Sequence, residues 1–368
     1  MRSFVEKLKG AVYGTAIGDG MGAPVEDWAP EVIAEAFPHH DFNGFLPPTH
    51  GGNPAGGKGD GRITDDTLMM EALIRAYNIC VAHMDAYTFR DVFVPEFTKR
   101  PVWIPERMKE MVLLERLNAI EKYTVSRLNH FRAYPRHAGI GNAVNCGVAM
   151  YIMPVGAVNV GDPQHAFREA VSLAMAETDS YAVEAAGVLA GCYAVALTAN
   201  ATIESVCDCA QSLARDGTGA ALRAVLSATD GADTVDVFIE KTRRAFLAFD
   251  PKVDRGGGTF ASQPSSCLSI EEVPVALAAL KYGAGDFLRT IAAAVRYGRD
   301  CDSTAGMACG LAGALLGCEA IPASLRSGCD EANQRDFDAL ASAFAETVRE
   351  ICQKDAEAFD YKRQYLRD

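Results

Sequence analysis

Ala305-Gly-Met-Ala-Cys-Gly-Leu-Ala-Gly-Ala-Leu-Leu-Gly-Cys318 is the longest apolar run of the chain. It falls short of the ~20 apolar residues that a bilayer span requires, so it reads as a helix buried in protein. Gly306, Gly310, Gly313 and Gly317 recur at three- and four-residue spacing, and small residues at that spacing let neighbouring backbones approach closely. Working outward, helical periodicity recurs over Phe4 to Ile17, Thr67 to Val81, Ser180 to Leu197, Ile203 to Leu213, Val273 to Leu280, Phe287 to Val295, Thr304 to Leu316 and Phe337 to Ile351. Alternating strand patterns are scarce and Ala, the best helix former, is abundant in these segments. The pattern predicts an all-α, orthogonal helical bundle.

No low-complexity linker divides the 368 residues, and the expectation is one large domain over 1–355 followed by a charged tail over 356–368. Hydrophobic residues make up 49% and charged residues 23%, ordinary for a globular protein with enough apolar surface to bury. The net charge of -13, from 48 acidic and 35 basic residues, disfavours direct contact with a nucleic-acid backbone. Eleven scattered cysteines and a start, MRSFVEKLKG, without the apolar run of a secretion signal suggest a reducing cytoplasm. Cys207 and Cys209 form a C-x-C without a matching second pair and are read as helix cysteines, not zinc ligands.

Three stretches break the helical pattern. Pro38 to Arg62 is rich in Gly, Pro and His, and Asp250 to Ser269 contains three consecutive glycines at Gly256 to Gly258; long loops beside acidic motifs are candidate active-site walls. Tyr87 to His137 carries Trp103 and a charged piece from Glu106 to Lys122, read as an exposed helix, with a lid or a dimer contact as alternatives.

Thr64-Asp65-Asp66-Thr67 stands where the first of these loops meets an apolar helix, and Asp300-Cys301-Asp302-Ser303 stands just before the small-residue helix. Each can present several hard oxygen ligands to magnesium or calcium. Each is also what a helix start uses to cap its unpaired N–H groups. Two such clusters, both opening buried helices, favour a shared two-metal site. Gly18-Asp19-Gly20-Met21-Gly22-Ala23-Pro24-Val25-Glu26 reads as a glycine-rich turn that ends the first helix and carries two carboxylates; Glu26 is placed for acid or base work.

G-D-G-M-G-A-P-V-E at Gly18 to Glu26, T-D-D-T at Thr64 to Thr67, D-C-D-S at Asp300 to Ser303, and G-A-L-L-G-C-E-A-I-P at Gly313 to Pro322 together resemble the ADP-ribosylglycohydrolase family, in order and context, over about residues 5 to 325. The resemblance implies an all-α fold with two Mg2+ ions, for which Mn2+ or Ca2+ are possible substitutes, at the base of a cleft. It implies Thr64, Asp65, Asp66, Asp300, Asp302 and Ser303 as metal ligands, Glu26 beside the metals, and Asp302 or Glu26 as the carboxylate that assists attack of water on the anomeric carbon.

The family's substrate loop, of the form G-N-G-x-x-M-R, corresponds to Asn145-Cys146-Gly147-Val148-Ala149-Met150-Tyr151, and its T-H-x-H-P element to Ala176-Glu177-Thr178-Asp179-Ser180. Asn145, Cys146, Gly147, Tyr151 and Asp179 are therefore the expected substrate contacts, altered from a diphosphate-binding set. The expected activity is magnesium-dependent hydrolysis of a ribosyl bond, on an ADP-ribosylated substrate or on a smaller riboside. A non-catalytic binding relative is the reading from another class. The expected partner is a small-molecule substrate, with no nucleic acid and no membrane.

Overall fold

The structure, a computed structural model, describes residues 2–49, 57–249 and 269–366. Parts of both glycine-rich loops, 50–56 and 250–268, lie outside the described residues. The helices of seven residues or more are α1 (Phe4–Gly22), α2 (Pro30–Ala36), α3 (Asp65–Cys80), α4 (Ala119–Asn129), α5 (Pro163–Ala174), α6 (Tyr181–Ala196), α7 (Ile203–Leu213), α8 (Asp216–Ala228), α9 (Val235–Phe246), α10 (Ser269–Gly283), α11 (Phe287–Arg296), α12 (Cys301–Leu316), α13 (Ala323–Asn333) and α14 (Phe337–Tyr365). The fold is all-α but for one antiparallel hairpin, β1 (Pro101–Ile104) and β2 (Lys109–Val112), in which Trp103 faces Glu110.

α12 lies at the centre, buried from Cys301 to Leu315. Antiparallel to it runs α1, with Gly10, Gly14, Gly18 and Gly22 facing Gly313, Cys309, Ala305 and Asp302 in turn. The backbones nearly touch. A Cβ at Gly10 would lie 2.2 Å from the Gly313 carbonyl oxygen, one at Gly14 2.1 Å from that of Cys309, and one at Gly18 2.2 Å from that of Ala305. Small residues bury little apolar area each, so cohesion here comes from many dispersion contacts at short range. Leu8, Val12, Ile17 and Met21 on the other sides of α1 are fully buried, and each adds about 1.5–3 kcal/mol of burial.

This pairing corrects the reading of Gly18 to Gly22 as a turn. The helix continues through Gly22 because its glycines serve contact with α12. The Glu106 to Lys122 piece is also corrected: it holds the β2 strand, a short helix at Leu113–Arg116 and the start of α4. Arg335 anchors the hairpin, donating to the Trp103 carbonyl (2.8 Å) and to Glu71 (2.9 Å). No disulfide joins any two of the described cysteines. No helix is long and apolar enough to cross a membrane among the described residues.

α14 buries Phe337, Ala341, Phe344, Ala345, Val348 and Ile351 along one stripe, then continues as an exposed helix through the region expected as a tail. His83 clamps it to the body: Nδ1 lies 2.6 Å from Glu169 and Nε2 2.9 Å from Asp355. Burial pushes the His83 pKa down, but hydrogen bonds and charge from Glu169 and Asp355 outweigh it and lift it to about 9.

Two outcomes are expected. Gly14→Ala lowers stability by about 1–3 kcal/mol through overpacking, whereas Gly44→Ala, with open space around its Cβ position, leaves the melting temperature nearly unchanged. His83→Gln lowers stability by about 1–3 kcal/mol at pH 6. Because the folded-state pKa is raised to about 9, this contribution is complete below the unfolded value near 6.5 and is lost as pH rises through 9; thermal scans from pH 6 to 10 show the deficit vanishing.

Candidate functional site

Thr64 and Asp300 occupy the N-cap positions of α3 and α12, yet neither side chain caps its own helix. The N-terminus of α3 is capped from outside. Asp19, fully buried on α1, accepts the backbone N–H groups of Thr64 (2.9 Å) and Thr67 (3.2 Å) and the Thr67 hydroxyl (2.5 Å). Sequence reading had placed Asp19 in a turn; being in helix, it points at α3 instead. Burial, and after it the nearby Asp302 charge, raise its pKa to about 7.

With Asp19 capping α3 and Asp300 leaving α12 uncapped by its side chain, the motif carboxylates gather together. Asp19, Asp66 and Asp302 bring one oxygen each to within 4.8 Å of one another, and Glu26, Asp300 and Asp302 do the same. Asp302 belongs to both groups. One Asp66 oxygen, Oδ1, is buried without a hydrogen-bond partner, while Oδ2 accepts the Thr64 hydroxyl (3.3 Å). Burial, followed by the charges of Asp302, Asp19, Asp65 and Asp300, raises the Asp66 pKa well above the carboxylate range. Hard oxygen donors crowded out of water, one of them orphaned, fit a divalent cation.

The other predicted ligands are placed differently. Asp65 pairs with Arg116 (2.7 Å) and receives the Asn118 amide (3.4 Å). Ser303 donates its backbone N–H to Asp302 (3.1 Å), and its hydroxyl lies 4.0 Å from the Met150 sulfur. Thr64 is fully buried behind Asp66. The Cys146 thiol donates to Asp300 (3.1 Å), and Glu272 of α10 joins these two in a third group within 4.8 Å.

A cavity of about 270 Å³ opens over these groups, and Glu26, Asp65, Asp66, Asp300, Asp302 and Ser303 line it. Of the expected substrate contacts, Asn145, Cys146 and Gly147 lie on its wall. Tyr151 and Asp179 do not. Tyr151 is buried against Phe93 and donates its hydroxyl to Glu177 (2.9 Å); Asp179 accepts the next backbone N–H, that of Ser180 (2.7 Å).

Sequence reasoning missed several wall residues, Lys58, Arg116, Asn118 and Glu121 among them. Lys58, from the glycine-rich loop, pairs with Glu26 and lies 3.8 Å from Asp302; burial lowers its pKa, but the charges of Asp302, Asp65 and Glu106 outweigh this and raise it. Arg116 pairs with Glu106 as well as Asp65. Asn118 and Glu121 come from the start of α4. The signal for Lys58 was its place in the glycine-rich loop, and for the other three their place in the aromatic and charged stretch between two helical segments.

Comparison with known proteins agrees with this architecture. The ADP-ribosylglycohydrolase family model matches residues 1–354. The uncharacterized protein YegU of Escherichia coli (strain K12) is 26% identical over 342 residues, 92% of this chain and 96% of that protein. A solved structure described as an ADP-ribosylglycohydrolase-related protein complex superposes with a TM-score of 0.60 at 20% identity, covering 95% of this chain and all of that one; at that identity it speaks for the fold. The whole-length match, and the acidic motifs drawn together beneath one cavity, place this chain in the ADP-ribosylglycohydrolase family.

Proposed function

We propose that the chain hydrolyses the glycosidic bond of a riboside at a site loaded with magnesium, two ions being the stoichiometry that two overlapping carboxylate groups suit. The observation that carries this is the buried set Asp66, Asp300 and Asp302, released from helix capping and left with an orphaned oxygen at Asp66. Asp19, Asp66, Asp300 and Asp302, with Glu26 at the edge, would hold the cations. Bound magnesium supplies Lewis acidity and a lowered pKa for a coordinated water.

The chain's own residues do the rest. Asp302 is shared by both carboxylate groups and so serves the cations; Glu26 stands in the outer group only and is the better proton acceptor for the attacking water. Lys58 pairs with Glu26 and holds its carboxylate in place. The cavity excludes bulk water from the ribose while Asn145 and Asn118 offer amides to its hydroxyls.

Substrate size is the second reading. Seven carboxylates line the cavity against three cations, Lys58, Arg107 and Arg116, and two of those three are paired with carboxylates. A riboside without a diphosphate therefore suits the wall better than ADP-ribose.

Turnover of a riboside panel with and without magnesium tests the first reading, and magnesium-independent turnover, or none on any riboside, defeats it. Glu26→Gln is expected to lower kcat by about 10²–10⁴-fold while magnesium still raises the melting temperature; Asp302→Asn loses both. Because the Asp66 pKa is raised, its ionisation opposes folding at pH 7, and Asp66→Asn raises the melting temperature in chelator by about 2 °C or more. Calorimetry in magnesium is expected to show ADP-ribose binding more weakly than the bare riboside that the enzyme cleaves.

A further inference from the structure

Glu121 is the one carboxylate of the cavity wall that belongs neither to the cation-holding groups nor to a salt bridge among the described residues. It sits in the first turn of α4 and is only 2% exposed. Its carboxylate accepts the backbone N–H groups of Asn118 and of Glu121 itself, as an acid in a helix's first turn does. That accounts for one oxygen. The other, Oε2, is buried without any hydrogen-bond partner. An unpaired buried acceptor is costly in an empty protein, and this one belongs to a side chain that lines the cavity.

A second carboxyl stands behind the first. Glu177 is fully buried, one oxygen accepting the Tyr151 hydroxyl (2.9 Å) and the other, Oε1, unpartnered. Burial and then the Glu121 charge raise the Glu177 pKa well above the carboxylate range, and burial lifts that of Glu121 to about 6. The nearest wall cation, Arg116, is committed to Asp65 and Glu106. An anion beside Glu121 would meet two carboxylates and, in Arg116, a cation already committed to two others.

We propose that Glu121, backed by Glu177, is the specificity residue for the part of the substrate beyond its ribose, and that it accepts an N–H donor from an uncharged group such as a nucleobase amine. This rests on the riboside-hydrolase reading above. Tyr151 is then a positioning residue: it orients Glu177, and Glu177 acts on the substrate through Glu121.

Glu121→Gln is the informative variant, because glutamine retains an acceptor for the helix-start N–H groups; a purely structural Glu121 would be replaced by it without effect on binding. The probes are adenosine, purine riboside, which lacks the amine, and ribose 5-phosphate, titrated calorimetrically into the magnesium-loaded protein. Adenosine is expected to bind about 10-fold or more tighter than purine riboside, as a charge-assisted hydrogen bond gives. In Glu121→Gln that ratio falls toward one with an unchanged melting temperature. Equal binding of the two nucleosides by the native protein, an undiminished ratio in the variant, or tightest binding of ribose 5-phosphate overturns the proposal alone. No binding of any of the three overturns the riboside-hydrolase reading, and this one with it.

Discussion

The close antiparallel contact between α1 and α12 is the constraint on which the site depends. Four glycines of α1, one per turn, meet small or backbone surfaces of α12 at distances where a single methyl would collide with a carbonyl. The register this imposes brings the end of α1, with Asp19 and then Glu26, against the start of α12, with Asp300 and Asp302. A slip by one turn, about 5.4 Å, would separate these carboxylates beyond any shared cation. Packing of apolar small residues thus sets the geometry of a polar centre at one end of the helix pair.

Placing so many carboxylates together out of water is unfavourable unless each finds compensation. Several forms of it are visible. Asp19 is satisfied by the N-terminus of α3, where N–H groups and the helix dipole favour an anion. Asp65 is satisfied by Arg116, and Glu26 by Lys58. Asp66 has only the Thr64 hydroxyl and keeps an orphaned oxygen. The least compensated of these carboxylates is Asp66, beside Asp19 and Asp302, the point where a divalent cation would gain most.

The acidic motifs were legible in sequence because each combines oxygen side chains with a helix start, and that local pattern survives in the fold. What was ambiguous was their use, since capping and cation binding call for the same residues. Sequence could not resolve it, because the cap of α3 comes from Asp19, 45 residues from Thr64. The helix through Gly22 was hidden for a related reason: glycine signals a helix end locally, and here a tertiary contact overrides the signal. Arg116, Asn118 and Glu121 were not legible as site residues, since a hairpin opened by Pro101 and a short helix carry them to the cavity, whereas Lys58 stands on the glycine-rich loop already read as a candidate wall. Tyr151 matched a motif position but has the burial of a core aromatic.

On the proposed reading, the chemistry and the specificity of this site would come from different parts of the chain. Family membership rests on helices that converge at the acidic centre, a region whose substitution would disturb both packing and charge balance. The opposite wall is built from the stretch after α3 and the loop before Met153, where side chains change with little effect on the α1 and α12 contact. Here that wall presents Glu121, with Glu177 behind it, and Arg116 is already bound by two carboxylates. Since a buried acceptor discriminates by what it would leave unpaired, on the proposed reading the far wall would select for donors, while the acidic centre would be indifferent to what the ribose carries.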